Sequence, residues 1–168
     1  TRGVEQVIMH SKYNQYNLNN DIALIKLDKE VDVTKMVKPA CLPKLFEPLP
    51  AGTMCYTTGW GNVQGTCCDQ KLKQTMVPVI GNSDCDGYYP GQITDNMICA
   101  GYVEGGQDAC QGDSGGPFVC QDGDHWNLQG ITSWGRGCAQ PKQPGVYARV
   151  ANYIDWIDQQ MKNSMIKP

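Results

Sequence analysis

Apolar residues in this chain fall into short runs separated by Gly, Pro, Asn and Asp, and only one stretch keeps a helical spacing. Val4-Glu5-Gln6-Val7-Ile8-Met9 half-alternates, as a strand with one covered face would. A polar loop with Tyr13, Tyr16 and four asparagines follows, and an Asx-rich turn then enters the apolar run Ile22–Leu27, long enough for a buried strand. Further β-like runs cover residues 55–61, 74–80, 96–100, 117–120, 126–134 and 145–150. Six runs at this spacing predict an antiparallel barrel. The Pro-rich stretch from Lys38 to Pro50 reads as a connector. At the end, Ile154, Ile157, Met161 and Met165 recur at helical spacing, predicting an amphipathic helix over 153–165 that packs on the core. No internal repeat or low-complexity tract interrupts this pattern.

Composition narrows the class. With 168 residues the chain is long enough for one ordinary domain. A net charge of −3 argues against nucleic acid or an anionic membrane as the main partner. No apolar run approaches the roughly 18 residues of a membrane span, and no signal-peptide pattern opens the chain, which reads as a mature or processed product. Nine cysteines, none arranged as Cys-x-x-Cys, point to disulfides and away from zinc, and so to a secreted, extracellular setting. Neither a metal nor a cofactor is expected. No Asn-x-Ser/Thr sequon is present, so N-glycans are not expected either.

The chemistry concentrates in Asp108-Ala109-Cys110-Gln111-Gly112-Asp113-Ser114-Gly115-Gly116-Pro117. Small residues around one hydroxyl let the backbone bend sharply and approach a ligand closely. Serine becomes a good nucleophile when a base takes its proton and backbone amides await the oxyanion; the Gly112 and Ser114 N–H groups stand where such donors are needed. Alone, the motif reads equally as a Gly-rich surface turn. Its surroundings discriminate between scaffolds. An α/β-hydrolase needs a helix after the serine and a late histidine, but Pro117–Cys120 continues as an apolar run and His125 follows too soon. The subtilisin order needs a histidine between the aspartate and the serine, and none lies between His10 and His125. The order His, Asp, Ser remains, and the string Gly112–Pro117 resembles the active-site signature of the chymotrypsin/trypsin family of serine endopeptidases.

That resemblance implies an all-β fold of two antiparallel six-stranded Greek-key barrels with a C-terminal helix. Residues 1–40 would be the C-terminal part of the first barrel, 41–50 the connector, 51–152 a complete second barrel and 153–168 the helical end. Barrel proteases of this kind run to roughly 200–250 residues, so the first barrel would be only partly present. The segment Asn20–Leu27 resembles the family's aspartate motif, which makes Asp21 the group that orients the catalytic histidine. His10 matches a position where the family often has a non-catalytic histidine, and His125 reads as a surface residue; the catalytic histidine is expected on a missing N-terminal segment or a light chain. Asp108 would be the floor of a pocket for an Arg or Lys side chain, with Gly135 and Gly145 as its open walls. Ser133, Trp134 and Gly135 would pair with the substrate backbone, and Gln111 would also face the substrate. Asp113 would pair with the ammonium freed when a zymogen is cut.

The same resemblance implies the disulfides Cys55–Cys120, Cys85–Cys99 and Cys110–Cys138. It makes Cys41 a candidate for an interchain bridge, leaves the adjacent pair Cys67 and Cys68 unassigned, and puts residues 65–70 in a loop where such enzymes self-cleave. The expected activity is hydrolysis of peptide bonds after Arg or Lys, with protein substrates and protein inhibitors as partners. The alternative is a protease-like binding or regulatory module without catalysis. Keeping Ser114, Asp21, Asp108 and both pocket glycines argues for the enzyme.

Overall fold

The computed structural model describes residues 1–62 and 71–165. Strands β1 (Val4–Met9) and β2 (Ala23–Leu27) pair antiparallel as a two-stranded sheet. Six more strands follow: β3 (Met54–Gly59), β4 (Lys73–Ile80), β5 (Met97–Ala100), β6 (Pro117–Asp122), β7 (His125–Trp134) and β8 (Gly145–Arg149). They close into a barrel in the order β3-β4-β5-β8-β7-β6, with every neighbouring pair antiparallel. The fold is therefore mostly β, with one complete six-stranded barrel, a partial second sheet and a helix at the C-terminal side.

Strand alternation builds the barrel core. In β3, Cys55 and Thr57 point inward and are buried, while Met54 faces out; Val77 and Val79 of β4 and Phe118 and Cys120 of β6 repeat the period of two. These side chains meet Ile98, Ala100 and Tyr147 in one cluster, where Phe118 and Tyr147 stack with ring centroids 4.4 Å apart. β5 is buried on both faces, as is most of β8, because helix α1 (Asn82–Tyr88) and Tyr89 cover their outer side in a second cluster with Met97, Cys99 and Val146. The sequence pattern does not reveal α1: it has seven residues, Gly87 inside it and Cys85 as its one buried side chain.

The disulfides Cys55–Cys120, Cys85–Cys99 and Cys110–Cys138 are present, the pairs implied by the family resemblance. The first joins directly opposed residues of β3 and β6, the seam where the barrel closes. Cys41 is exposed with a free thiol, and its backbone bridges Trp126 and Leu128 of β7. Cys67, Cys68 and the expected self-cleavage loop lie outside the described residues.

A 3-10 turn (Val150–Tyr153) leads into helix α2 (Ile154–Met165), so the helical end begins three residues earlier than its periodicity suggests. Val150, Tyr153 and Ile157 pack on Ile22 and anchor the first sheet to the barrel. Met161 departs from expectation and is exposed: the apolar surface that α2 rests on lies at its first turns. β2 starts at Ala23 because Ile22 donates its N–H to the Asn20 carbonyl and remains in a turn. Among the described residues, no helix is long and apolar enough to cross a membrane.

Candidate active site

Residues 110–116 form a tight loop docked on β7. The Asp113 N–H bonds the Cys110 carbonyl and the Gly116 N–H the Asp113 carbonyl, while the Gly115 N–H donates to the Thr132 carbonyl and the Thr132 N–H to the Gly116 carbonyl. Gly112 has φ of 97°, and a Cβ there would stand 3.0 Å from the Gly61 Cα, so only glycine fits. Among the described residues, the Gly112 and Ser114 amides donate no hydrogen bond, which leaves both free for a ligand oxygen. Ser114 itself is exposed. The Asp113 carboxylate turns inward and accepts the Gly61 amide at 2.7 Å and the Cys110 amide at 2.9 Å. It is part-buried and held by these two backbone donors.

Ser114 opens onto two clefts. One, of about 200 Å³, is lined by Asp108, Gln111, Ser133, Trp134, Gly135 and Gly145 among others, so every substrate-facing residue expected from the sequence borders it. Asp108 is half-buried among them. One carboxylate oxygen accepts the Ala139 amide at 3.2 Å; the other is buried without a hydrogen-bond partner among the described residues. Burial, with a smaller push from the Asp113 charge, raises its pKa from 3.8 to about 6. A Cβ on Gly145 would come 2.6 Å from that unpartnered oxygen, so glycine here keeps the space over the carboxylate open. Gly135 differs: a Cβ there would meet only ordinary contacts. The wall is braced by Tyr89, which sequence reasoning missed. Its hydroxyl donates to the Pro144 carbonyl at 2.7 Å, its ring packs 5.0 Å from Trp134, and the Arg136 guanidinium sits over it at 5.4 Å.

The other cleft, about 550 Å³, is lined by Ser114, Asp21 and the apolar face of the first sheet, including Val7, Met9 and Ile25. The Ser133 hydroxyl donates to an Asp21 carboxylate oxygen at 2.6 Å. Ser133 therefore holds the carboxylate with its side chain, a contact that residue spacing could not show because it joins positions 112 residues apart. Neither histidine reaches these clefts. The His10 ring packs against Tyr153 and Trp156, where burial and then the Lys12 charge lower its pKa, and His125 is exposed on the β6–β7 hairpin. A third cavity of about 530 Å³ is lined by Gly59, Asp108, Asp113 and Ala139 among others.

An exposed hydroxyl on a loop with two free amides, a carboxylate across a cleft and a pocket bordered by a second carboxylate is an arrangement that can support acyl transfer. Comparisons with known proteins show the family. A family model described as Trypsin matches residues 1–157. Trypsin-2 of Salmo salar is 49% identical over 168 residues, covering 96% of this chain and 70% of that protein. Trypsin-1 of Salmo salar is 49% identical, with 96% and 67% covered. Transmembrane protease serine 5 of Homo sapiens is 43% identical over 167 residues, covering 97% of this chain but 36% of that protein. The chain belongs to the trypsin family of serine proteases.

Proposed function

We propose that this chain carries the nucleophile, the triad carboxylate and the specificity pocket of an endopeptidase that cleaves after Arg or Lys. The observation that carries the reading is the position of Ser114, between an Asp108 pocket on one side and an Asp21 cleft on the other. Ser114 Oγ gives its proton to an imidazole and bonds to the scissile carbonyl carbon. The Gly112 and Ser114 amides take the oxyanion, the imidazolium protonates the leaving amine, and water then releases the acyl group by the same steps. Asp21 holds the imidazole and stabilises its cation, while Ser133 holds Asp21. The buried Asp108 oxygen, without a hydrogen-bond partner among the described residues, gains most from a cationic side chain.

The imidazole belongs to neither His10 nor His125, so another segment or chain supplies it, and the exposed apolar face of β1 and β2 is the surface that segment covers. In this reading residues 1–40 complete a first barrel with it, 41–50 connect, 51–152 form the second barrel and 153–168 end the chain. Cys41, exposed and free, is available for a bond to that chain. The 530 Å³ cavity beside Asp113 is open to an ammonium that would join the two amides already there, consistent with zymogen activation. Three disulfides support a secreted setting. Substrates and inhibitors are proteins.

Two measurements test this. In the complete protein, an organophosphorus reagent labels Ser114 covalently; absence of labelling favours a non-catalytic binding module. Asp108→Ser lowers kcat/KM on Arg and Lys substrates by about 10⁴-fold, the scale expected when a buried polar partner is lost. Unchanged rates would overturn the assignment of the pocket.

A further inference from the structure

The turn that carries Asp21 is built from Asn19 and Asn20, and their side-chain oxygens accept hydrogen bonds from the barrel side. Asn20 has φ of 59°, in the left-handed region that Asn tolerates better than most residues. Its carbonyl accepts the Ile22 N–H at 2.9 Å, folding the chain tightly around Asp21. Its side-chain amide is engaged at both ends. Nδ2 donates to the Lys12 carbonyl at 2.8 Å; Oδ1 accepts the Tyr153 hydroxyl at 3.3 Å and Asn96 Nδ2 at 3.4 Å. Asn19 Oδ1 accepts Thr94 Oγ1 and Asn96 Nδ2, both at 3.1 Å, and Asn152 Nδ2 closes the far side of Asn96 at 3.0 Å. Segments from the loop after β1, the approach to β5 and the 3-10 turn thus converge on the two residues before Asp21. Tyr153 is 3% exposed, and its pKa is pushed up to about 12, first by burial and then by the Asp21 charge. The phenol lies close enough to feel that carboxylate, and it remains a donor.

Apolar packing of Ile22 on Val150 and Tyr153 sets how near the first sheet lies to the barrel, but such contact has no direction. Hydrogen bonds do have direction. We propose that Asn20, through Tyr153 and Asn96, is a positioning residue that fixes the orientation of the Asp21 carboxylate relative to Ser133 and Ser114. The inference rests on Asp21 being the triad carboxylate. The tether is neutral, so it holds the carboxylate without competing for the imidazolium. An aspartate at position 20 would accept the same φ but would add a second negative charge beside Asp21.

The test uses the complete enzyme, with kcat expressed per active site titrated by the organophosphorus reagent. Asn20→Gly keeps the left-handed backbone and removes the amide. Its kcat per titrated site falls about 10-fold to 100-fold with KM within about twofold, the scale of a misplaced catalytic group. Tyr153→Phe falls by a smaller factor, and in the Asn20→Gly background it adds almost nothing, because both changes break the same bond. A merely structural role would instead lower the titre and the melting temperature while leaving kcat per site unchanged. That outcome, or independent effects of the two substitutions, overturns the proposal. Failure of the unsubstituted enzyme to label is a different result and removes the catalytic reading itself.

Discussion

The closed barrel and the first sheet are made from similar residues yet end in opposite states. In the barrel, each strand has a partner on both sides, the seam is bolted by Cys55–Cys120, and Cys55, Val77, Phe118 and Tyr147 are fully buried. In the first sheet, β1 and β2 pair only with each other among the described residues. One face, with Ile8 and Leu24, is partly covered. The other leaves Val7 56%, Ile25 60% and Met9 75% exposed. A strand with apolar residues on both faces is a strand that expects two layers, and this one has a single layer behind it. Ser114 and the Asp108 pocket sit on the closed barrel, while Asp21 sits beside the two-stranded sheet. In the function proposed above, catalysis therefore depends on how the sheet is held to the barrel.

If that contrast is right, the largest stability effect comes from the barrel. Phe118→Ala removes a side chain with no exposure that stacks on Tyr147, and should cost about 3–5 kcal/mol in urea unfolding. A loss near 1 kcal/mol would mean the barrel core is looser than its packing implies.

Asp108 comes next, because it is the barrel's one buried carboxylate oxygen without a partner among the described residues. Folded Asp108 keeps its proton up to about pH 6, whereas the ordinary value is 3.8. Folding therefore takes up a proton between these values. The associated stability is complete below pH 3.8 and is lost as pH climbs through about 6. The loss is about 2 kcal/mol once solvent screening is allowed for. Unfolding midpoints from pH 4 to 7 should show this fall in the native chain and not in Asp108→Asn. An amidinium ligand should reverse it, binding more weakly as pH drops below 6 and the carboxyl becomes neutral.

Much of this was legible before any coordinates. The alternation in residues 55–59 and 74–80 betrays barrel strands because one face of each is core, whereas 145–150 reads as a short apolar run because β8 is covered on both faces. Gly-Asp-Ser-Gly-Gly-Pro marks the loop because few other residues could make its turns. Helix α1 was hidden, since it covers the barrel with one cysteine and a following tyrosine, not with a periodic stripe. Met161 misled for the opposite reason: periodicity reports what a helix could bury, not whether a surface reaches that far. Contacts between distant positions, Ser133 to Asp21 and Tyr153 to Asn20, leave no mark on spacing at all.

The exposed sheet face gives a smaller effect that depends on company. Ile25→Ala in the 168-residue chain should cost under about 1 kcal/mol, as expected for a side chain that remains mostly in water. With the segment proposed above docked on that face, the same change should cost about 2 kcal/mol or more. Equal costs in both would mean that nothing docks on β1 and β2.

The smallest effect comes from the sheet's polar edge. Lys26 Nζ lies 2.9 Å from Glu5 Oε1, with both side chains more than a third exposed. Such a pair contributes little, because water screens the attraction and two long side chains lose freedom to make it. Glu5→Gln should shift stability by less than about 0.5 kcal/mol, and by still less at 1 M salt. Lys26 also reaches the Ser164 carbonyl of α2 at 3.4 Å, so Lys26→Met should cost slightly more than Glu5→Gln despite keeping the apolar stem. If Glu5→Gln instead matched Ile25→Ala in the isolated chain, electrostatics and not the missing layer would be what limits the first sheet. The contrast with the barrel would then need a different cause.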